Sequence, residues 1–141
     1  MRAFFDAHVH KTLATLRRDG APRISGIEVS FAEGDLWFGG MWESRKALDL
    51  RRDARFALHS GSDDPPGWKG DAKLSGRAEE LTDPARKTAI LRAAGTEAPV
   101  EPFHLFRAEI AEVALVRLGE PADHLVIEAW SPERGLRRQR R

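Results

Sequence analysis

The chain has 141 residues, 41% of them hydrophobic and 32% charged, with a formal net charge of +1 and no cysteine. That length suits one domain with one modest core, and the near-zero charge gives no overall pull towards nucleic acid or a membrane surface. Disulfides and thiol chemistry are excluded, no apolar run nears the ~20 residues of a membrane helix, and the opening MRAFFDAHVH lacks the basic start and apolar stretch of a secretory signal, so a cytoplasmic protein is expected.

Residues 1–10 place Phe4, Phe5 and Val9 in a short helix-like run. His8 and His10 form an H-x-H pair, but no further ligand lies nearby in sequence, so no metal site is expected. Residues 12–18 (TLATLRR) predict a strand, and Asp19-Gly20 predicts a tight hairpin turn, whose central positions need positive φ. Residues 21–31 predict a second strand that opens with Pro22. Its alternation sets Arg23, Ser25, Ile27, Val29 and Phe31 on one side and Ile24, Gly26 and Glu28 on the other. Neither side is wholly polar, as in a barrel strand with one side in the core and the other in a dimer or ligand contact.

After a turn at 32–35, residues 36–40 read as a short apolar strand buried on both faces. Gly39-Gly40 lets the backbone bend or approach a ring system closely. Trp42 then either stacks on such a ring or plugs a dimer interface. A helix is expected over 44–52, with Ala47, Leu48 and Leu50 inward. Its start, Ser44-Arg45-Lys46, combines a hydroxyl and two cations with the free N–H groups and positive dipole end of a helix. That is a phosphate cradle or, in the plainer reading, a capped surface helix with solvated charges.

Residues 54–60 predict a strand with Phe56 and Leu58 towards the core. Residues 61–70 (GSDDPPGWKG) are the clearest loop. Trp68 in that loop is expected to cover an apolar surface, either as a lid over a site or as a pin to its own barrel. A long strand follows over 71–81, with Ala72, Leu74, Gly76 and Ala78 on one side. Asp83-Pro84 caps and opens a helix that stops near Gly95. A linker with two prolines (96–103) leads to strands over 106–118 and 125–130, joined by a turn. The basic end 134–141 (RGLRRQRR) reads as a frayed, solvated tail, and nucleic acid is an unlikely partner at this net charge. Hairpin-linked strands with few helices predict a mostly β fold, an antiparallel barrel flanked by helices, as one domain over 1–141.

Four segments, in order, resemble the FMN-binding split-barrel family that includes pyridoxamine 5'-phosphate oxidase. They are Gly20-Ala21-Pro22-Arg23, Asp35-Leu36-Trp37-Phe38-Gly39, Ser44-Arg45-Lys46, and the passage from Leu50 through Arg55-Phe56 to Leu58. The resemblance covers residues 11–82 and implies a homodimer of antiparallel split β-barrels with a flavin at each of two interface sites. It implies an FMN-dependent oxidoreductase acting on an unidentified small molecule, with no catalytic residue assigned. A deazaflavin coenzyme on the same scaffold, or a non-catalytic cofactor-binding or dimerisation module, is the alternative. Carried over position by position, Arg23, Ile24, Ser25 and Gly26 match the strand along the flavin, and Phe38 and Gly39 match the strand that follows. Ser44, Arg45 and Lys46 match the phosphate motif, and Asp71 stands where the oxidase has Gln. Glu28 departs from the pattern, since the oxidase has Lys there. The oxidase's C-terminal substrate motif is not recognisable, so pyridoxamine phosphate oxidation is not assigned.

Overall fold

Alternating apolar residues and turn signals build nine strands and three short helices in the computed structural model, which describes residues 1–141. In chain order they are α1 (Arg2–Asp6), β1 (Lys11–Leu16), β2 (Pro22–Ile27), β3 (Val29–Ala32), β4 (Asp35–Met41), α2 (Arg45–Arg52) and β5 (Arg55–His59). Then come β6 (Asp71–Leu81), α3 (Pro84–Ala93), β7 (Phe103–Leu118), β8 (Leu125–Ser131) and β9 (Gly135–Arg140).

Every strand pair is antiparallel. The sheet runs β2-β1-β5-β6-β7-β4-β3, with β8 and β9 continuing from β7. β2 and β3 are neighbours in sequence yet stand at opposite ends of that path, with no ladder between them. The sheet therefore rolls up until its two ends meet, and the unpaired seam splits the barrel. No helix is long and apolar enough to cross a membrane.

The single strand expected over 21–31 is thus two strands. β2 pairs with β1 up to Lys11↔Ile27, and β3 pairs with β4 from Val29↔Phe38, with Glu28 at the break. In a small barrel one run must leave one sheet edge and join the other. The apolar alternation Ile27, Val29, Phe31 runs straight across Glu28 in the sequence, so periodicity alone does not show the break.

The core packs Phe5, Leu13, Ile27, Phe38, Phe56 and Phe106 with the small aliphatics around them. Phe38 lies 5.2 Å from Phe56 and 5.9 Å from Phe106, centroid to centroid. A second cluster joins Ile90 and Leu91 of α3 to Trp37, Phe103 and Leu105. Each such side chain, fully buried, contributes about 1.5–3 kcal/mol.

α2 buries Ala47 and Leu50, but Leu48 stays exposed, contrary to expectation, and Asp49 is buried instead. Leu48 and Asp49 flank the same inward stripe. The side facing β1 falls to Asp49 because Thr15 and Arg23 meet its carboxylate there.

The basic tail, expected to fray, forms β9. It pairs with β8 from Ser131↔Gly135 to Val126↔Arg140. All six of its residues are exposed, so the ladder hydrogen bonds, and not side-chain burial, hold it. β7 also begins at Phe103, ahead of the expected 106, which shortens the linker after α3.

The β6–β7 ladder shifts register between Ser75 and Gly76. At Gly76 a Cβ would collide with the Glu109 carbonyl oxygen. Glycine there permits the bulge that bends both strands around the barrel.

Candidate functional site

A cavity of about 610 Å³ opens beside the barrel seam. Phe38 to Trp42 of β4 and the turn beyond it form one side, with Phe103 to Leu105 of β7 next to them. Gly26 to Glu28 form a second side, Lys46 of α2 closes a corner, and the segment between α3 and β7 supplies Glu97, Pro99 and Val100. Its size suits a small molecule or cofactor.

The corner at α2 brings an unpartnered hydroxyl close to a lysine. Ser44 occupies the N-cap position, where a hydroxyl ordinarily accepts a hydrogen bond from the first turn. Here it makes no such bond, and its buried Oγ has no partner at all. Gly40 makes room for this hydroxyl, since a Cβ on Gly40 would lie 2.9 Å from Ser44 Oγ and 3.5 Å from Lys46 Cε. Lys46 Nζ donates to the Gly26 carbonyl at 2.7 Å and has protons left for another acceptor. Burial pulls its pKa below the ordinary lysine value, which a bound anion would counter.

Arg23 faces elsewhere. Its Nε donates to Asp49 Oδ2 at 2.6 Å, Thr15 Oγ1 donates to the same oxygen at 2.8 Å, and Arg52 reaches Oδ1 at 3.2 Å. Burial pushes the Asp49 pKa up, but hydrogen bonds from Arg23, Thr15 and Arg52 outweigh it and hold the carboxyl below its ordinary value. The Arg23 guanidinium is therefore engaged by a carboxylate on its own barrel.

A third group fixes the cavity mouth. His104 is fully buried. The Glu43 N–H donates to its Nε2 at 3.2 Å, so Nδ1 carries the proton and donates to Glu80 Oε1 at 2.6 Å. Arg51 grips the same carboxylate at 2.7 and 3.1 Å. Burial raises the Glu80 pKa, while the bonds from Arg51 and His104 lower it further, leaving a carboxylate below its ordinary value. Trp42 stacks on His104 with centroids 4.6 Å apart and planes at 7°, and the Arg51 guanidinium lies 5.2 Å from the indole centroid. The chain of contacts Arg51–Glu80–His104–Trp42 sets the indole in one orientation. Sequence reasoning missed His104 and Glu80. The available signal was a histidine inside the apolar strand run Phe103-His104-Leu105-Phe106, where burial requires both ring nitrogens to find partners.

Of the residues expected at a site, the cavity brings together Gly26, Phe38, Gly39 and Lys46, with Ser44 behind Gly40. Phe38 is chiefly a core residue, at 2% exposure. Ile24 lies on the outer face of the sheet, 75% exposed, in a shallow depression with Ala14, Ala57 and Ala114. Ser25 is half-buried opposite Leu13. Arg45 is exposed and does not line the cavity. Asp71 sits at the start of β6 outside the cavity. Its buried Oδ1 has no hydrogen bond, with His59 and Lys73 at 3.6 and 3.7 Å.

His8 and His10 are not joined at one site. His8 lies 3.7 Å from Asp63, and His10 lies 4.0 Å from Glu28. No residue of the 61–70 loop lines the cavity. Gly61 abuts His8 and Gly70 is buried against Val116 and Arg117, so the two ends of the loop rest on the chain's own residues, and Trp68 is half-buried.

The chain matches the family model described as "Pyridoxamine 5'-phosphate oxidase" over residues 1–117. No functionally curated protein matches it. Solved structures with a similar fold include the following three. A conserved hypothetical protein of Mycobacterium tuberculosis, Rv2991, is 21% identical, with 79% of this chain and 78% of that one covered and a TM-score of 0.65. A pyridoxamine 5'-phosphate oxidase-related, FMN binding protein from Nostoc punctiforme is 15% identical, with 94% and 86% covered and a TM-score of 0.65. PhzG from Burkholderia lata, in complex with tetrahydrophenazine-1-carboxylic acid, is 15% identical, with 94% and 81% covered and a TM-score of 0.69.

Proposed function

Because the chain belongs to the pyridoxamine 5'-phosphate oxidase family, we propose that it is a homodimeric flavoprotein that holds FMN in this cavity and serves as an oxidoreductase. The observation that carries the reading is the buried, partnerless Ser44 Oγ at the start of α2, beside a lysine with protons to donate. A buried hydroxyl without a partner costs about 1–3 kcal/mol, and a phosphate oxygen removes that cost. When bound, FMN supplies the hydride chemistry, and the protein supplies binding, orientation and electrostatics.

The chain's own residues divide that work. Ser44 and Lys46 would hold the phosphate, with Arg45 exposed on the same first turn. Gly39 and Gly40 keep β4 bare, so the cavity wall there is backbone. A side chain at Gly39 would press within 2.9 Å of the His104 carbonyl. The His104–Trp42 stack gives the mouth a rigid aromatic edge. Arg23 donates through Nε to Asp49 and does not line the cavity.

The test is an absorbance titration. The protein takes up FMN, and Ser44→Ala and Lys46→Ala each lose about ten- to a hundredfold in FMN affinity, the equivalent of one charge-assisted bond. Riboflavin, which lacks the phosphate, loses far less. Parent protein that takes up no FMN overturns the reading, and uptake of a deazaflavin coenzyme in its place supports the alternative cofactor. Variants that lose FMN and riboflavin equally would show pocket shape at work in place of phosphate recognition.

The outer sheet face supports the dimer reading: there Ile24 stands 75% exposed beside Ala14, Ala57 and Ala114. Sedimentation at micromolar concentration should give twice the chain mass. A stable monomer would remove both the dimer and any cofactor site that depends on it.

A further inference from the structure

We propose that the remainder of this cavity is shaped for a cationic aromatic amine and disfavours anionic, phosphorylated substrates. The inference rests on the cofactor reading in one respect, that the Ser44–Lys46 corner is taken by the cofactor's own phosphate.

The apolar part of the argument is exposure. Met41 is 82% exposed, Val100 91% and Trp42 45%, and all three line the same cavity. Large apolar side chains gathered bare around a concavity mark a binding surface. Trp42 is also held flat by its stack on His104, so its orientation is set before a ligand arrives. A planar apolar body loses little freedom against such a wall.

The polar part is charge. Lys46 is the only lysine or arginine in the lining. Arg23 is engaged by Asp49 and Arg51 by Glu80, and neither lines the cavity. His104 has both ring nitrogens taken, Nε2 by the Glu43 N–H and Nδ1 by Glu80. Against that single cation stand two carboxylates, Glu28 and Glu97. Glu28 has one ion-pair contact, with His10 of the same lining at 4.0 Å, and Lys11 lies within electrostatic reach outside the cavity; Glu97 has no ion-pair partner. A cofactor phosphate would absorb the charge of Lys46, and what then faces an incoming molecule is negative. A cation gains from Glu28 and Glu97 together, whereas an anion is repelled by both carboxylates.

Three ligands with one ring and three charges test this by calorimetry on the FMN-loaded protein: tryptamine, tryptophol and indole-3-propionate. Affinity should fall in that order, by about three- to tenfold at each step, at low ionic strength. The double variant Glu28→Gln, Glu97→Gln should compress the three affinities to within about twofold of one another, and added salt should do the same to the parent. Equal binding of tryptamine and indole-3-propionate by the parent overturns the proposal. So does an unchanged ranking in the double variant, or no binding of any of the three. FMN uptake is measured first and independently. Failure of that step sinks the cofactor reading and with it the premise that the Lys46 charge is neutralised, whereas failure of the ranking on loaded protein sinks the charge preference alone.

Discussion

Gly76→Ala should destabilise the fold by about 3 kcal/mol or more, the largest effect expected of any single methyl group in this chain. The added Cβ would collide with the Glu109 carbonyl oxygen, and would lie 2.9 Å from that carbonyl carbon and 3.1 Å from the Ala111 nitrogen. All three atoms are backbone, and they belong to the β6–β7 ladder, which runs from Asp71↔Val116 to Leu81↔Leu105. A flexible side chain could turn aside, but here the ladder itself must shift. A melting temperature about 10 °C below the parent, or failure to fold, is the expected readout by circular dichroism. Gly26→Ala is the control, since no heavy atom lies within 4 Å of its added Cβ. It should change stability by less than about 1 kcal/mol. A Gly76→Ala protein that melts with the parent would mean that the bulge is not at this position.

Asp49→Ala is the second large effect, at about 3 kcal/mol. The substitution leaves Arg23 and Arg52 facing each other beneath α2 without a counter-ion, and leaves Thr15 Oγ1 without its acceptor. Arg23 and Arg52 keep some contact with water, which holds the cost near the lower end for breaking a buried ion pair. The same carboxylate gives the fold an acid limb. Its folded pKa lies below the ordinary 3.8, so its contribution is complete above that pH and is lost as pH falls through the folded value. Urea midpoints of parent and Asp49→Ala, compared at pH 7 and then below pH 4, should converge on acidification. Other depressed carboxyls, such as Glu80, act equally in both proteins, so the convergence isolates Asp49. A gap between the two that stays constant with pH would show that packing, and not charge, accounts for the loss.

Much of the fold was legible because local chemistry and tertiary role agreed. Residues 71–81 alternate cleanly and form β6 with those bounds. Asp83 caps α3 by accepting from the Ala85 N–H, with Pro84 at its first position, and Gly95 ends it with φ of 74°. The errors arise where a residue's role is fixed by something distant. Asp49 reads as one more surface acid in an Arg-rich helix, and only Thr15 and Arg23, far back in sequence, make it a buried one. The break at Glu28 follows from barrel closure, which has no local marker. The 134–141 tail has no apolar period, yet it pairs because β8 offers it an edge.

At the site, the Ser44–Lys46 corner was legible from the helix start, and its special feature, a hydroxyl that fails to cap, was not. Arg45 and Lys46 look alike in sequence, but only Lys46 lines the cavity. His104 and Glu80 meet through the pairing of β7 with β6, which brings Glu80 opposite Phe106 and so beside His104. No spacing rule connects residues 24 positions apart on two strands.

The barrel's outermost strand has a consequence for how the protein behaves when crowded. β9 leaves one row of backbone donors and acceptors open along its outer edge, which in a flat apolar strand would recruit a neighbour and grow a fibre. Arg137, Arg138 and Arg140 stand along that strand, with Arg134 and Arg141 at its ends, and every one is exposed. Two such edges brought together would stack like charges a few ångströms apart. The charged run that looks dispensable in sequence thus acts as a guard against self-assembly, and shortening it would bare the more apolar edge of β8 to the same hazard.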